Sequence, residues 1–231
     1  MNRRIFENLL CTAICTLSAV PSYSQQQTLS KTAISIKQQG YVNVHDEDPS
    51  IKVSLMYSRP DNFTGKVLYK DLKEAFLHPQ AAKALAKAQK ELKRLRPELS
   101  LIVFDAARPM SIQQQMWDVV KGTPKNIYVS NPANGGGLHN YGFAVDVSIC
   151  DEKGDTIPMG TLIDHMGKEA HPEHETSMLA KGKISKEAVS NRKLLRRVMS
   201  AGGFKVLKTE WWHFNLKTRA QVKAENRKPI R

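Results

Sequence analysis

Between Pro79 and Phe104 the chain carries its most restrictive pattern. Ala81, Leu85, Ala88, Leu92 and Leu95 recur every three or four residues, with lysines and glutamates between them. Such a stripe predicts an amphipathic helix over 79–95 that must lay its apolar side on a core. Pro97 ends it. The run 99–104 is continuously apolar and rich in β-branched residues, which predicts a strand buried on both faces. A helix passing directly into a buried strand fixes a mixed sheet-and-helix core.

The remaining segments extend that frame. Ile51, Val53, Leu55 and Tyr57 alternate with Lys52, Ser54 and Met56, the pattern of a half-buried strand. Residues 59–65 and 131–137 read as loops, and 111–120 as a short helix presenting Ile112, Met116, Trp117 and Val120. Residues 143–149 read as a strand, and 154–183 as a long functional or covering loop. A helix over 185–201 stops at Gly202-Gly203, and two strands, 204–207 and 211–216, are joined by Lys208-Thr209-Glu210. Without strict βαβ alternation, the expected fold class is α+β, a central, mostly antiparallel sheet flanked by helices.

At 41% hydrophobic and 25% charged, the chain is neither disordered, collagen-like nor a multi-span membrane protein. Its net charge of +13 invites a nucleic-acid reading. The basic residues, however, lie on helix faces (Lys83, Lys87, Lys90, Lys93) and in a tail from Lys217 to Arg231. They are not interleaved with aromatics, so a solvated surface is expected and no nucleic acid.

Residues 1–24 read as a secretory signal. Arg3 and Arg4 precede an apolar run at 9–20, too short to span a bilayer, and Ser22 and Ser24 are the small residues three and one positions before a cut at Gln25. Export, to a periplasm, is the expectation. Cys11 and Cys15 lack a lipoprotein context, so no stable membrane anchor is expected, and they leave with the signal. Cys150 then stands alone, excluding an internal disulfide, and is expected to be a small buried strand residue. Residues 25–39 form a polar, loosely ordered leader, and 40–231 a single domain with a basic C-terminal tail.

Two elements in the second half suggest chemistry. His139-x6-Asp146 is followed by Glu210-x-x-His213. Asn140-Tyr141-Gly142 can bend the chain so that His139 and Asp146 face one point, and Glu210 and His213 sit where a turn enters a strand. Two histidines and an aspartate, with a glutamate outside the ligand shell, are the inventory of a catalytic zinc site with an open fourth position. No HExxH helix is present, which excludes the common zincin arrangement. Arg108, at the end of the buried strand, can reach a developing oxyanion or form an ordinary ion pair with Asp105. His171-Pro172-Glu173-His174 looks metal-like, but Pro172 breaks helical geometry, so this segment and His165 read as loop surface or pocket wall. His45 and His78 lie far from either constellation and read as structural or exposed.

Taken together, DNFTGKVLY (61–69), DAARP (105–109), HNYGFAVDVSI (139–149), PMG (158–160), NRKLLRRVM (191–199) and EWWHF (210–214) resemble, in order and spacing, the zinc D-alanyl-D-alanine dipeptidases of VanX type. The resemblance covers roughly residues 52–215. It implies the fold shared with lysostaphin-type and hedgehog-like zinc proteins, and one Zn2+ per chain held by His139, Asp146 and His213. It further implies Glu210 as general base and then acid, and Arg108 as oxyanion partner. Tyr57 and Asp164 fall where the family holds the substrate's amino end. The implied substrate is D-Ala-D-Ala or a related peptidoglycan-derived peptide. Gly137 stands where the family usually has a serine, and Ala106-Ala107 replaces Gly-Tyr, departures that bear on selectivity. A D,D-carboxypeptidase acting on stem peptides, a non-catalytic zinc module binding wall peptides, and a basic envelope-binding protein remain alternatives.

Overall fold

The computed structural model describes residues 28–231. The expected signal segment lies outside the described residues. No described helix is long and apolar enough to cross a membrane.

In chain order the elements are α1 (Lys31–Gln38), β1 (Val42–Asn43), α2 (Val44–Glu47), β2 (Lys52–Val53), β3 (Phe76–Leu77), α3 (Pro79–Leu95), β4 (Ser100–Asp105), α4 (Met110–Val120), β5 (Ala144–Cys150), α5 (Glu175–Ala180), α6 (Lys186–Gly202), β6 (Lys205–Leu207), β7 (Glu210–Asn215) and α7 (Arg219–Ala224). Five strands form one sheet in the order β2-β4-β5-β7-β6. Only the β2–β4 pair is parallel; the other three are antiparallel. This is the mixed, mostly antiparallel class that the sequence pattern implies. β1 and β3 form a separate two-stranded ribbon.

Local chemistry explains the main elements. α3 begins with Pro at its first position, where the missing N–H costs nothing, and its apolar stripe (Ala81, Leu85, Ala88, Leu92) is fully buried. It packs on α6, where Gly202 approaches the Ala84 carbonyl so closely that a Cβ would lie 2.4 Å from that oxygen. Every residue of β5 is buried, as expected of a central strand covered on both faces. Cys150 lies at its end, fully buried.

Several segments differ from the sequence expectation, among them 154–183, read as a loop but holding the short helix α5. Residues 51–57 pair only at Lys52–Val53, and the chain then tightens into a 3-10 turn at Met56–Ser58 that buries Met56 and Tyr57 side by side. Alternation is lost because tertiary packing, not a ladder, holds this stretch. Residues 25–39 are not loosely ordered along their whole length. Ser30 caps α1 by accepting from the Ala33 amide, and Ala33 and Ile36 are buried against the core. Finally, the basic tail folds back as α7, closed by a reciprocal Thr218–Gln221 capping box, and ends with Ile230 fully buried.

Candidate active site

Strand register places most of the site. Asp146 on β5 stands directly opposite His213 on β7, and Asp105 on β4 opposite Asp146. Directly opposed residues on neighbouring strands share a face, so three polar side chains line up across the sheet. A register shift between Val103 and Asp105 turns Asp105 into that row. His139 arrives from outside the sheet, on a 3-10 turn at Leu138–Tyr141. Gly142 ends that turn at φ +68°, and a Cβ there would meet the Tyr41 ring at 2.6 Å and the His78 nitrogen at 2.7 Å. This tight reversal is what brings His139 back over Asp146 despite their odd separation.

The donor set converges. His139 Nε2 lies 3.1 Å from His213 Nδ1 and 3.3 Å from Asp146 Oδ1, and His213 Nδ1 lies 3.0 Å from the same oxygen. The outer ring nitrogens are already committed. His139 Nδ1 is 2.8 Å from the Ala106 carbonyl, which can only accept, so that nitrogen carries the proton. His213 Nε2 donates to Asn215 Oδ1 at 2.9 Å. The inner nitrogens therefore present lone pairs, to each other and to a carboxylate. Three acceptors at that spacing repel unless a cation joins them. Ligands of a tetrahedral zinc at the usual bond lengths would stand about 3.3 Å apart, close to what is found. The residues present fit a divalent metal.

Glu210 stands just outside this triad, with Oε2 3.9 Å from His213 Nδ1. Burial pushes its carboxyl up to about 7, partly opposed by His213. A divalent cation at the triad would draw it back down.

Arg108 satisfies both sequence readings at once. Its Nε donates to Asp105 Oδ2 at 2.8 Å, and its Nη2 lies 3.8 Å from Asp146 Oδ2, so the ion pair holds the guanidinium beside the triad. Nη1 donates to Gln113 Oε1 at 2.9 Å, and Tyr69 donates its hydroxyl to Asp105 Oδ1 at 2.6 Å. This brace of Tyr69, Asp105 and Gln113 escaped sequence reasoning; only the Asp105–Arg108 spacing hinted at it.

Tyr57 and Asp164 meet although 107 positions apart. The Tyr57 hydroxyl reaches both Asp164 carboxylate oxygens, at 3.1 and 3.0 Å. Asp164 holds a left-handed backbone at φ +63°, a conformation that costs a non-glycine residue energy and recurs at functional sites. Burial, with Asp146 nearby, raises its carboxyl to about 7. The loop bearing it is pinned from below by fully buried Arg192, which donates to the Met159 carbonyl at 2.7 Å and the Glu169 carbonyl at 3.0 Å.

His139, Asp146, Glu210, His213, Arg108, Tyr57 and Asp164 thus line one open pocket of about 620 Å³. His171, Glu173 and His174 also bring ligand atoms within 4.8 Å of one another, and Tyr128, on the pocket wall, bonds His171 Nε2 at 2.9 Å. His45 binds the Ile51 carbonyl at 2.8 Å, and His78 caps α3; both are structural.

Comparison with known proteins decides the family. The model of the D-ala-D-ala dipeptidase family matches residues 37–228. The chain belongs to the D-ala-D-ala dipeptidase family. It is therefore a metallopeptidase. It is 34% identical over 168 residues to the D-alanyl-D-alanine dipeptidase of Escherichia coli, covering 73% of this chain and 80% of that protein. It is 23% identical over 196 residues to the enzyme of that name from Enterococcus faecalis, covering 77% and 91%. With the one from Synechocystis it shares 27% identity over 162 residues, covering 58% and 66%.

Proposed function

We propose that this metallopeptidase hydrolyses D-alanyl-D-alanine, using one zinc ion held by His139, Asp146 and His213. The observation that carries the reading is the meeting of two imidazole lone pairs and a carboxylate oxygen within 3.3 Å, beside a glutamate left outside them. When bound, zinc supplies Lewis acidity toward water and toward the scissile carbonyl.

The chain's own groups do the rest. Glu210 takes the proton from the attacking water and passes it to the leaving amine. Arg108, fixed by Asp105 and Gln113, presents positive charge to the oxygen on which negative charge develops. Asp164, steadied by Tyr57, faces the substrate's free ammonium as a charge-assisted partner. The relatives, D-alanyl-D-alanine dipeptidases by name, support the same substrate. The basic, apolar, small-residue pattern at 1–24 supports action outside the cytoplasm, on wall-derived peptides in the periplasm.

One observation favours a second reading. The pocket is open to solvent, so a longer chain can extend out of it, which suits a D,D-carboxypeptidase acting on longer stem peptides. Assaying D-Ala-D-Ala beside a stem pentapeptide separates the two. Hydrolysis of the dipeptide is expected; D-alanine released from the pentapeptide alone would reject the dipeptidase.

A further inference from the structure

A dipeptide has two charged ends, and the pocket described so far answers only one. Asp164 and Tyr57 suit an ammonium. A carboxylate needs hydrogen-bond donors and positive charge, placed where the chain leaves room.

Ser130 meets the first need. It lines the pocket, and among the described residues no protein group hydrogen-bonds its hydroxyl. Its backbone is fixed, because the Ser130 carbonyl accepts from Gln113 Nε2 at 2.8 Å while the other end of that amide braces Arg108. Ser130 is thus tied to the catalytic arginine through one glutamine.

Gly137 shows that this placement is built. Its backbone, at φ −111° and ψ −177°, is ordinary extended chain that any residue adopts. Glycine is not needed there for conformation. A Cβ would lie 2.8 Å from Ser130 Oγ and 3.2 Å from Ser130 Cβ. Ser130 therefore fills the side-chain space of residue 137, two positions before His139. A hydroxyl from one loop occupies a gap that the other keeps open.

Arg219 supplies charge along the same loop. It reaches from the start of α7 and donates to the Gly136 carbonyl at 2.7 Å and to the Asn134 carbonyl at 2.8 Å, and it too lines the pocket. It stiffens 134–137 while leaving its charge at the pocket wall.

We propose that the Ser130 hydroxyl, with the charge that Arg219 brings to the 134–137 loop lining the same pocket, forms a carboxylate-binding subsite that takes the free C-terminus of the peptide substrate. This rests on the dipeptidase reading and adds to it a grip on the peptide's free C-terminus. Ser130 donates to the carboxylate, and Arg219 lowers the cost of bringing that charge into the pocket.

The test compares D-Ala-D-Ala with D-Ala-D-Ala amide, which lacks the terminal charge, in wild type, Ser130→Ala and Gly137→Ala. Ser130→Ala removes one oxygen from a partly exposed position and should fold normally. It is expected to lower kcat/KM for the dipeptide about tenfold, chiefly through KM, as befits one hydrogen bond to a charged group. Its effect on the amide should stay within about threefold. Gly137→Ala pushes the serine aside and should reproduce the same selective loss. Equal losses on both substrates, or no loss on the dipeptide, would overturn the subsite and leave the dipeptidase standing. A wild-type enzyme inert toward both compounds would remove the dipeptidase reading and the subsite with it.

Discussion

Arg108 and Glu210 are the residues whose chemistry depends most on their surroundings. Arg108 is buried between two carboxylates, Asp105 and Asp146, and its removal does more than take away the proposed oxyanion partner. Arg108→Ala leaves Asp105 as an uncompensated buried charge. It should cost about 3–5 kcal/mol in urea unfolding. In the folded fraction, kcat should also fall about 10²–10³-fold. An unchanged unfolding midpoint would show that the brace contributes no stability. Glu210 is different, since among the described residues no lysine or arginine forms an ion pair with it and only His213 stands near. Glu210→Gln keeps the shape, so metal content should match wild type while kcat falls about 10²–10⁴-fold. Loss of bound metal in that variant would make Glu210 a ligand and not a proton carrier.

At the scale of elements, α3 carries a titration that the fold itself creates. His78 caps the helix, accepting from the Gln80 amide at 3.2 Å, and stacks on Phe143. Burial, then Arg227 and Lys217, lowers its pKa from 6.5 to about 4, with Glu225 opposing weakly. The unfolded chain therefore binds this proton at a higher pH than the folded one. The contribution is fully present above about 6.5 and is lost as pH falls toward 4. His78→Asn retains a capping side chain without the titration. Between pH 7 and 4.5 wild type should lose more stability than the variant in urea melts, and parallel losses would contradict the assignment. The loop bearing Asp164 depends on α6 in a similar way. Arg192→Met strands two carbonyls, at Met159 and Glu169, and should raise KM for the dipeptide more than it lowers kcat.

Elements built from local periodicity were the most legible in the sequence. α3 runs over the expected residues, and β4, β5 and α6 fall within a residue or two of expectation, because each is specified by its own apolar stripe or run. α1 was not legible. Only Ala33 and Ile36 give it an apolar side, and its stability comes from the core it lands on. The strand expected at 51–57 failed because β2 pairs with β4 for two residues and then turns. The candidate metal ligands could be named from spacing and flanking residues, whereas the Tyr69–Asp105–Arg108–Gln113 brace could not, since its members come from three separate segments.

For the molecule as a whole, the C-terminal segment closes the fold over the site instead of trailing from it. The Ile230 amide donates to the Asn140 carbonyl at 2.7 Å, next to His139, and its carbonyl accepts from Met110 at 2.9 Å. Its side chain is fully buried. Ile230→Ala should therefore destabilise the protein by about 2–5 kcal/mol, measured by urea unfolding. An effect below about 0.5 kcal/mol, the range of ordinary surface changes, would mean that the tail is not part of the core. The sheet supplies Asp146 and His213, the tight turn supplies His139, and the tail holds that turn in place. All three serve one claim, that these side chains bind a single metal on which hydrolysis depends. The direct test measures D-Ala-D-Ala hydrolysis and bound metal together, before chelation, after it, and on adding zinc back. The account predicts activity that vanishes with the metal and returns as one zinc per chain is restored. Hydrolysis that persists in the fully chelated protein would contradict it.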